Sequence, residues 1–226
     1  MAQGKGETAV NRGRVVREWL QIAAGLWVFA FGVHLTIRAD IGLAPWDCLG
    51  MGLANHTPLN YGMAMTVTAL IILGIDLLMK ERIGFGTIID ALISGNLAQL
   101  YSDLNPLPEV TNTWAGIGIM LGGFVIQSIG MWLYMSAAQC CGPRDALFVA
   151  LGKRVPKIPV GFVQIVVWAV VLLVGWLLGG PVGIGTVIST FGMGLMLQLV
   201  FNIVHFEPRK VQHRSVIEVV RVLIGR

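Results

Sequence analysis

Apolar residues gather into six long runs along the chain, at 19–37, 61–79, 84–101, 114–135, 160–179 and 182–204. Each is long enough to cross a hydrocarbon core of about 30 Å at about 1.5 Å per residue as an α-helix, the third with least to spare. The runs lack the period-two alternation of a barrel strand, and lipid offers a non-helical backbone no partners, so helices are predicted. A polar, basic leader precedes the first run. That run is too long for a secretory signal, and Thr36-Ile37-Arg38-Ala39 offers no small-residue cleavage site, so it is predicted to remain as the first span.

The pattern breaks twice in the same way. After the first run comes Gly42-Leu43-Ala44-Pro45-Trp46-Asp47-Cys48-Leu49-Gly50, leading to Asn55-His56-Thr57-Pro58. After the fourth comes Cys140-Cys141-Gly142-Pro143-Arg144-Asp145-Ala146-Leu147, leading to Lys153-Arg154-Val155-Pro156. Gly and Pro end the preceding helix, Pro-x-Asp opens a new one, and the next Pro stops it. About ten residues reach only about 15 Å, so each segment is either an interfacial helix or a re-entrant half-helix.

These two breaks belong to a longer duplication. At an offset of 98, Gly25 meets Gly123, Gly32 meets Gly130, Pro45 meets Pro143, Asp47 meets Asp145 and Pro58 meets Pro156. One inserted residue moves the offset to 99. Gly62 then meets Gly161, Gly84-x-Gly-Thr87 meets Gly183-x-Gly-Thr186, Gly95 meets Gly194 and Gln99 meets Gln198. Apolar residues match by chance in any two spans, but ordered prolines, glycines, an Asp, a Thr and a Gln do not. Three spans is an odd number, so the copies must cross the membrane in opposite directions. The predicted architecture is all-α, with six transmembrane helices in two inverted three-helix repeats. The chain divides into a basic leader (1–17), repeat one (18–102), an outer loop (103–113), repeat two (114–204) and a basic tail (205–226).

Gly-Leu-Ala-Pro-Trp-Asp and Gly-Pro-Arg-Asp-Ala-Leu resemble the signature segments of the YczE-like integral membrane proteins, within the YczE/YyaS/YitT grouping. The Gly-x-Gly-Thr openings of runs three and six fit as well, and the resemblance covers about residues 18–204. It implies a small multi-span protein of the bacterial plasma membrane. A role connected with lipopeptide antibiotic production has been attached to one member, without an established activity or substrate.

Composition agrees with the bilayer. Of 226 residues 55% are hydrophobic and 12% charged, about half the charge of an ordinary soluble domain. The mean hydropathy is +0.75. The pI near 9.2 is a topology signal and gives no reason to invoke nucleic acid. With a cytoplasmic N-terminus and six spans, 15 of the 16 Lys and Arg fall on the inner side and only Arg38 outside. The asymmetry predicts both termini in the cytoplasm. In the tail, Ser215-Val216-Ile217-Glu218 forms a capping box before an aliphatic run, with Arg209, Lys210, Arg214 and Arg221 placed to meet anionic lipid headgroups. The alternative is a frayed basic tail that serves only topology.

The chemistry is sparse. No H-E-x-x-H, Gly-x-Ser-x-Gly or P-loop motif occurs, and Cys48, Cys140 and Cys141 have no metal-ligand spacing, so no catalytic residue, metal or cofactor is assigned. Asp47 and Asp145 either cap the starts of short helices or, if the two half-helices enter from opposite sides, meet with Pro45, Trp46, Pro143 and Arg144 around one cavity. In that case free N–H groups at the helix starts would suit an anionic ligand group. Gln99 and Gln198 are placed to bond across the pseudo-twofold, as structural glue or as ligand contacts. His34 is expected to make an interhelical hydrogen bond or to serve with Asp90 as a polar relay. Thr87 and Asp90 resemble a capping box, and Asp76 is placed to pair with Lys80 one turn on. The expected function is a permease-like transporter of a small organic or amphipathic substrate. The alternative is a non-transporting accessory protein for a biosynthetic or export machinery.

Overall fold

A computed structural model describes residues 12–81, 84–104, 110–137, 142–155 and 160–206. The leader before Arg12, the paired cysteines Cys140 and Cys141, the side chain of Asp145 and the tail from Glu207 lie outside the described residues. All regular structure in the described part is α-helical: α1 (Arg12–Arg38), α2 (Pro45–His56), α3 (Tyr61–Leu78), α4 (Phe85–Leu104), α5 (Thr113–Ser136), α6 (Pro143–Arg154), α7 (Val160–Leu177) and α8 (Ile184–Ile203).

The punctuation works as the sequence suggests. Pro45 and Pro143 open the two short helices, where a missing N–H costs nothing. Asn60 and Asn112 cap α3 and α5 by accepting from the N–H groups of Met63 and Trp114. At the end of α3, Lys80 turns left-handed (φ 58°) and Glu81 N–H returns to the carbonyl of Asp76. This turn corrects the expected Asp76–Lys80 pair. Lys80 leaves the helix and is exposed, while Asp76 is fully buried with no hydrogen-bond partner for its carboxylate among the described residues.

Four of the described helices are long and apolar enough to cross a membrane: Val16–Arg38, Tyr61–Leu78, Thr113–Ser136 and Ile184–Ile203. The other two predicted spans differ. Over its described part, Gly161–Leu177, α7 is apolar but shorter. The 20-residue α4 has the length, but Asp90, Ser94, Asn96, Gln99, Ser102 and Asp103 dilute its apolar character.

The centre is an antiparallel crossing of α1 and α5. Gly25 packs on the carbonyl of Gly130, and Gly32 on that of Gly123, so closely that an added Cβ would lie 2.9 and 2.8 Å from those oxygens. Such glycines let backbones meet where lipid supplies no hydrophobic drive. Around this pair α4 packs on α1 and α3, α8 packs on α5, and each short helix packs on a long helix of the other half, α2 on α7 and α6 on α3. Leu43 N–H donates to Pro181 O, and Gly42, at φ +106°, passes so close to Gly183 and Thr186 that no side chain would fit.

Candidate functional site

The starts of α2 and α6 converge on one cavity. From there α2 runs to the turn after α7, where Asn55 donates to Gly179 O, and α6 runs to the end of α3, where Arg154 donates to Met79 O. The two helices therefore point away from each other. Between their first turns lies a space of about 200 Å³, lined among others by Pro45, Trp46, Asp47, Tyr61, Asp90, Gln127, Pro143, Arg144, Gln164, Trp168, Ser189 and Thr190.

Asp47 is buried, and Tyr61 Oη donates to its Oδ1 at 3.0 Å. The N-cap of α2 is Ala44, which has no side chain able to cap it. The position of Asp47 in the first turn still places negative charge beside the positive helix end. Arg144, half-buried, holds its guanidinium 5.1 Å over the Trp46 ring and reaches Met65 Sδ at 3.9 Å. A cation over a desolvated indole gains about 1–2 kcal/mol, and the same guanidinium supplies opposite charge for Asp47. Arg144 therefore belongs to the interior, which takes one base out of the inner-face charge asymmetry. Trp168 closes another wall with its indole N–H buried and without a partner among the described residues.

Of the candidate residues, Pro45, Trp46, Asp47, Asp90, Pro143 and Arg144 share this cavity. Gln99, Gln198 and His34 do not. Gln99 donates to Asp103 at 2.7 Å and Gln198 to Asn202 at 2.8 Å, each within its own helix, so the expected bond between the two glutamines is absent. His34 makes an interhelical bond through Nδ1 to Ser102 Oγ at 3.1 Å, between the rings of Phe31 and Tyr101. With Arg38, Asn60, Gln99 and Asn112 it lines a separate, open vestibule of about 1020 Å³. Tyr61 lines both spaces, so its ring and its bond to Asp47 partition vestibule from cavity.

Sequence reasoning passes over Tyr61, Gln127, Gln164 and Trp168; Ser189 stands out in the sequence as the residue 99 positions after Asp90, without being assigned to a site. The others acquire meaning from which helices stand opposite, which periodicity along one run does not contain.

Apolar helices of membrane-crossing length around a charged, buried cavity define a helical membrane protein. The chain belongs to the family described as a family of unknown function, DUF6198, whose model matches residues 16–202. It is 28% identical over 186 residues to the uncharacterised membrane protein YczE of Bacillus subtilis (strain 168), covering 81% of this chain and 85% of that one. It is 26% identical over 179 residues to an uncharacterised protein of Haemophilus influenzae (strain ATCC 51907 / DSM 11121 / KW20 / Rd), covering 79% and 81%. A third relative, the uncharacterised protein YyaS of Bacillus subtilis (strain 168), is 26% identical over 194 residues, covering 84% and 96%. The resemblance drawn from the Pro-x-Asp segments is thereby confirmed. No solved structure matches the chain.

Proposed function

We propose that the protein is a carrier for a small organic or amphipathic solute, built from two inverted three-helix repeats and binding its substrate between Asp47 and Arg144. The observation that carries this reading is the cavity where the starts of α2 and α6 meet. Gathering the buried carboxylates of Asp47 and Asp90, the half-buried guanidinium of Arg144 and two helix N-termini around one membrane-embedded space is costly, and a binding site is the function that such a cost serves. Broken helices that aim their N-termini at a midplane site between inverted repeats recur among secondary transporters. The close glycine contacts support the repeat: Gly25 on Gly130 and Gly32 on Gly123 are one contact seen twice under exchange of the copies. In this reading α4 and α7 also span, and both termini face the cytoplasm of a bacterium.

Purified protein in proteoliposomes, offered pools of amino acids, amines and organic acids, tests the proposal. Solute flux is expected above that of empty vesicles, and Asp47→Asn or Arg144→Gln should abolish it while expression and helicity persist. Absence of flux across all pools, or full flux in both variants, refutes the carrier.

A further inference from the structure

The two copies carry the same packing device, and the structure uses it in only one of them. In copy one, α3 meets α4 at Gly62 and Gly95: an added Cβ on Gly62 would lie 2.9 Å from Gly95 O, and one on Gly95 3.0 Å from Gly62 O. Gly62 lies in the first turn of α3, where backbone N–H groups lack partners within the helix, and its N–H donates to Gln99 Oε1 at 3.4 Å. Asn96 adds a bond to Thr66 at 3.0 Å. The joint therefore consists of two glycines and a glutamine that receives the helix start.

All three recur 99 positions later as Gly161, Gly194 and Gln198. There the joint stands open. Among the described residues, nothing lies within 4 Å of a Cβ on Gly161 or on Gly194, and Gln198 is exposed and bonded to Asn202 of its own helix. Helix α8 packs on α5 and α7 packs on α2 and α6, and α7 and α8 do not form a close pair as α3 and α4 do. Both still line the charged cavity, α7 through Gln164 and Trp168, α8 through Ser189, Thr190 and Met193. The cavity is thus sealed on the vestibule side by Tyr61 and the α3–α4 joint, and bordered by an open joint on the side of α7 and α8.

We infer that the two joints are alternating gates: the protein has a second state in which Gly161, Gly194 and Gln198 close α7 on α8 as Gly62, Gly95 and Gln99 close α3 on α4 here, and in which the α3–α4 joint opens. This inference rests on the inverted-repeat reading above. The reason is energetic. Gly62, Gly95 and Gln99 have counterparts in Gly161, Gly194 and Gln198, whereas the Asn96–Thr66 bond does not, since Leu195 and Ile165 stand at those positions. The two joints share their close-packing core, so a modest difference in interaction with solute or lipid is enough to exchange them. The shared cavity couples the two, because closing both would require α3, α4, α7 and α8 to shrink around the same buried charges.

The exchange is read by electron–electron distances in lipid nanodiscs, with spin labels carried on ketone-bearing residues so that the native cysteines stay. One pair sits at the exposed positions Met63 and Leu100, across the closed joint. Its counterpart sits at the exposed positions Phe162 and Leu199, across the open one. Gly62→Leu forces a side chain against the α4 backbone, so the first distance should lengthen. The second should shorten until α7 and α8 approach an interaxial separation of about 8 Å. Should Gly62→Leu fail to fold, Gln99→Ala removes only the bond from the helix start and should shift both distances in the same senses. Gly161→Leu fits the open space of this structure, so it should fold normally and prevent the second distance from shortening even when combined with Gln99→Ala. Well-folded Gly62→Leu or Gln99→Ala protein with an unchanged Phe162–Leu199 distance overturns the inference. Flux without exchange would leave the carrier standing and remove the gates; exchange without flux would do the reverse.

Discussion

Substituting Gly32 by Ala tests the central crossing of α1 and α5. The new Cβ would lie 2.6 Å from Gln127 N and 2.8 Å from Gly123 O, whereas carbon atoms normally rest about 3.5–4.0 Å from their neighbours. Both obstacles are backbone, so neither can rotate away, and the helices must part by roughly 1 Å. A gap of that size forfeits about a quarter to a half of each contact of roughly 0.1–0.2 kcal/mol. Over a few tens of atom pairs the loss is about 2 kcal/mol, within the usual range for overpacking. The bond from Gln127 to Thr36, already 3.3 Å long, would break as well, adding about 0.5–1 kcal/mol. Reversible unfolding in mixed micelles, followed by helical circular dichroism, should therefore show Gly32→Ala less stable by about 2–3 kcal/mol. Gly118→Ala on α5 is the internal control, because nothing among the described residues lies within 4 Å of its new Cβ. Adding Gly123→Ala to Gly32→Ala should cost less than the sum of the single changes, since the same crossing has already opened. Equal stability of Gly32→Ala and Gly118→Ala would refute the account of how the core is held.

Two further outcomes follow from the site and the charges. Tyr61→Phe keeps the ring but leaves Asp47 without its hydroxyl donor, and should lower stability by about 1–3 kcal/mol in the same assay. An unchanged stability would show that the bond does not hold the partition. A periplasm-active reporter inserted in residues 103–113 should be active, and one that works only in the cytoplasm, inserted at the same place, should be silent. The reverse result would invert the proposed orientation.

Much of this arrangement was legible in the chain because proline and glycine act locally. Pro45 and Pro143 set the starts of the short helices, and Asp47, two positions after the first, lines the cavity. Distances across the bundle were not legible. Gln99 and Gln198 are equivalent in the sequence repeat, which suggests a bond between them, but equivalence along the chain does not fix a distance across the bundle. Trp46 and Arg144 are also equivalent in sequence and do meet, 5.1 Å apart; Gln99 instead donates to Asp103 and accepts from Gly62 N–H of α3, and Gln198 donates to Asn202. Asp76 was misplaced for a different reason. A spacing of four residues predicts a pair only while the helix continues, and the left-handed turn at Lys80 ends it. In the sequence Tyr61 is only the first residue of an apolar run, because its role depends on how close α2 lies to α3.

The docking of α2 on α7 bears on the order in which the molecule can be made. Synthesis completes α2 at residue 56, whereas α7 starts only at residue 160. For the intervening hundred or so residues the first short helix, with Asp47 and its small, glycine-rich face, has α3 beside it and lacks its main partner. The amino-terminal half must therefore wait in the membrane incompletely assembled, and insertion of α7 is the event that completes it.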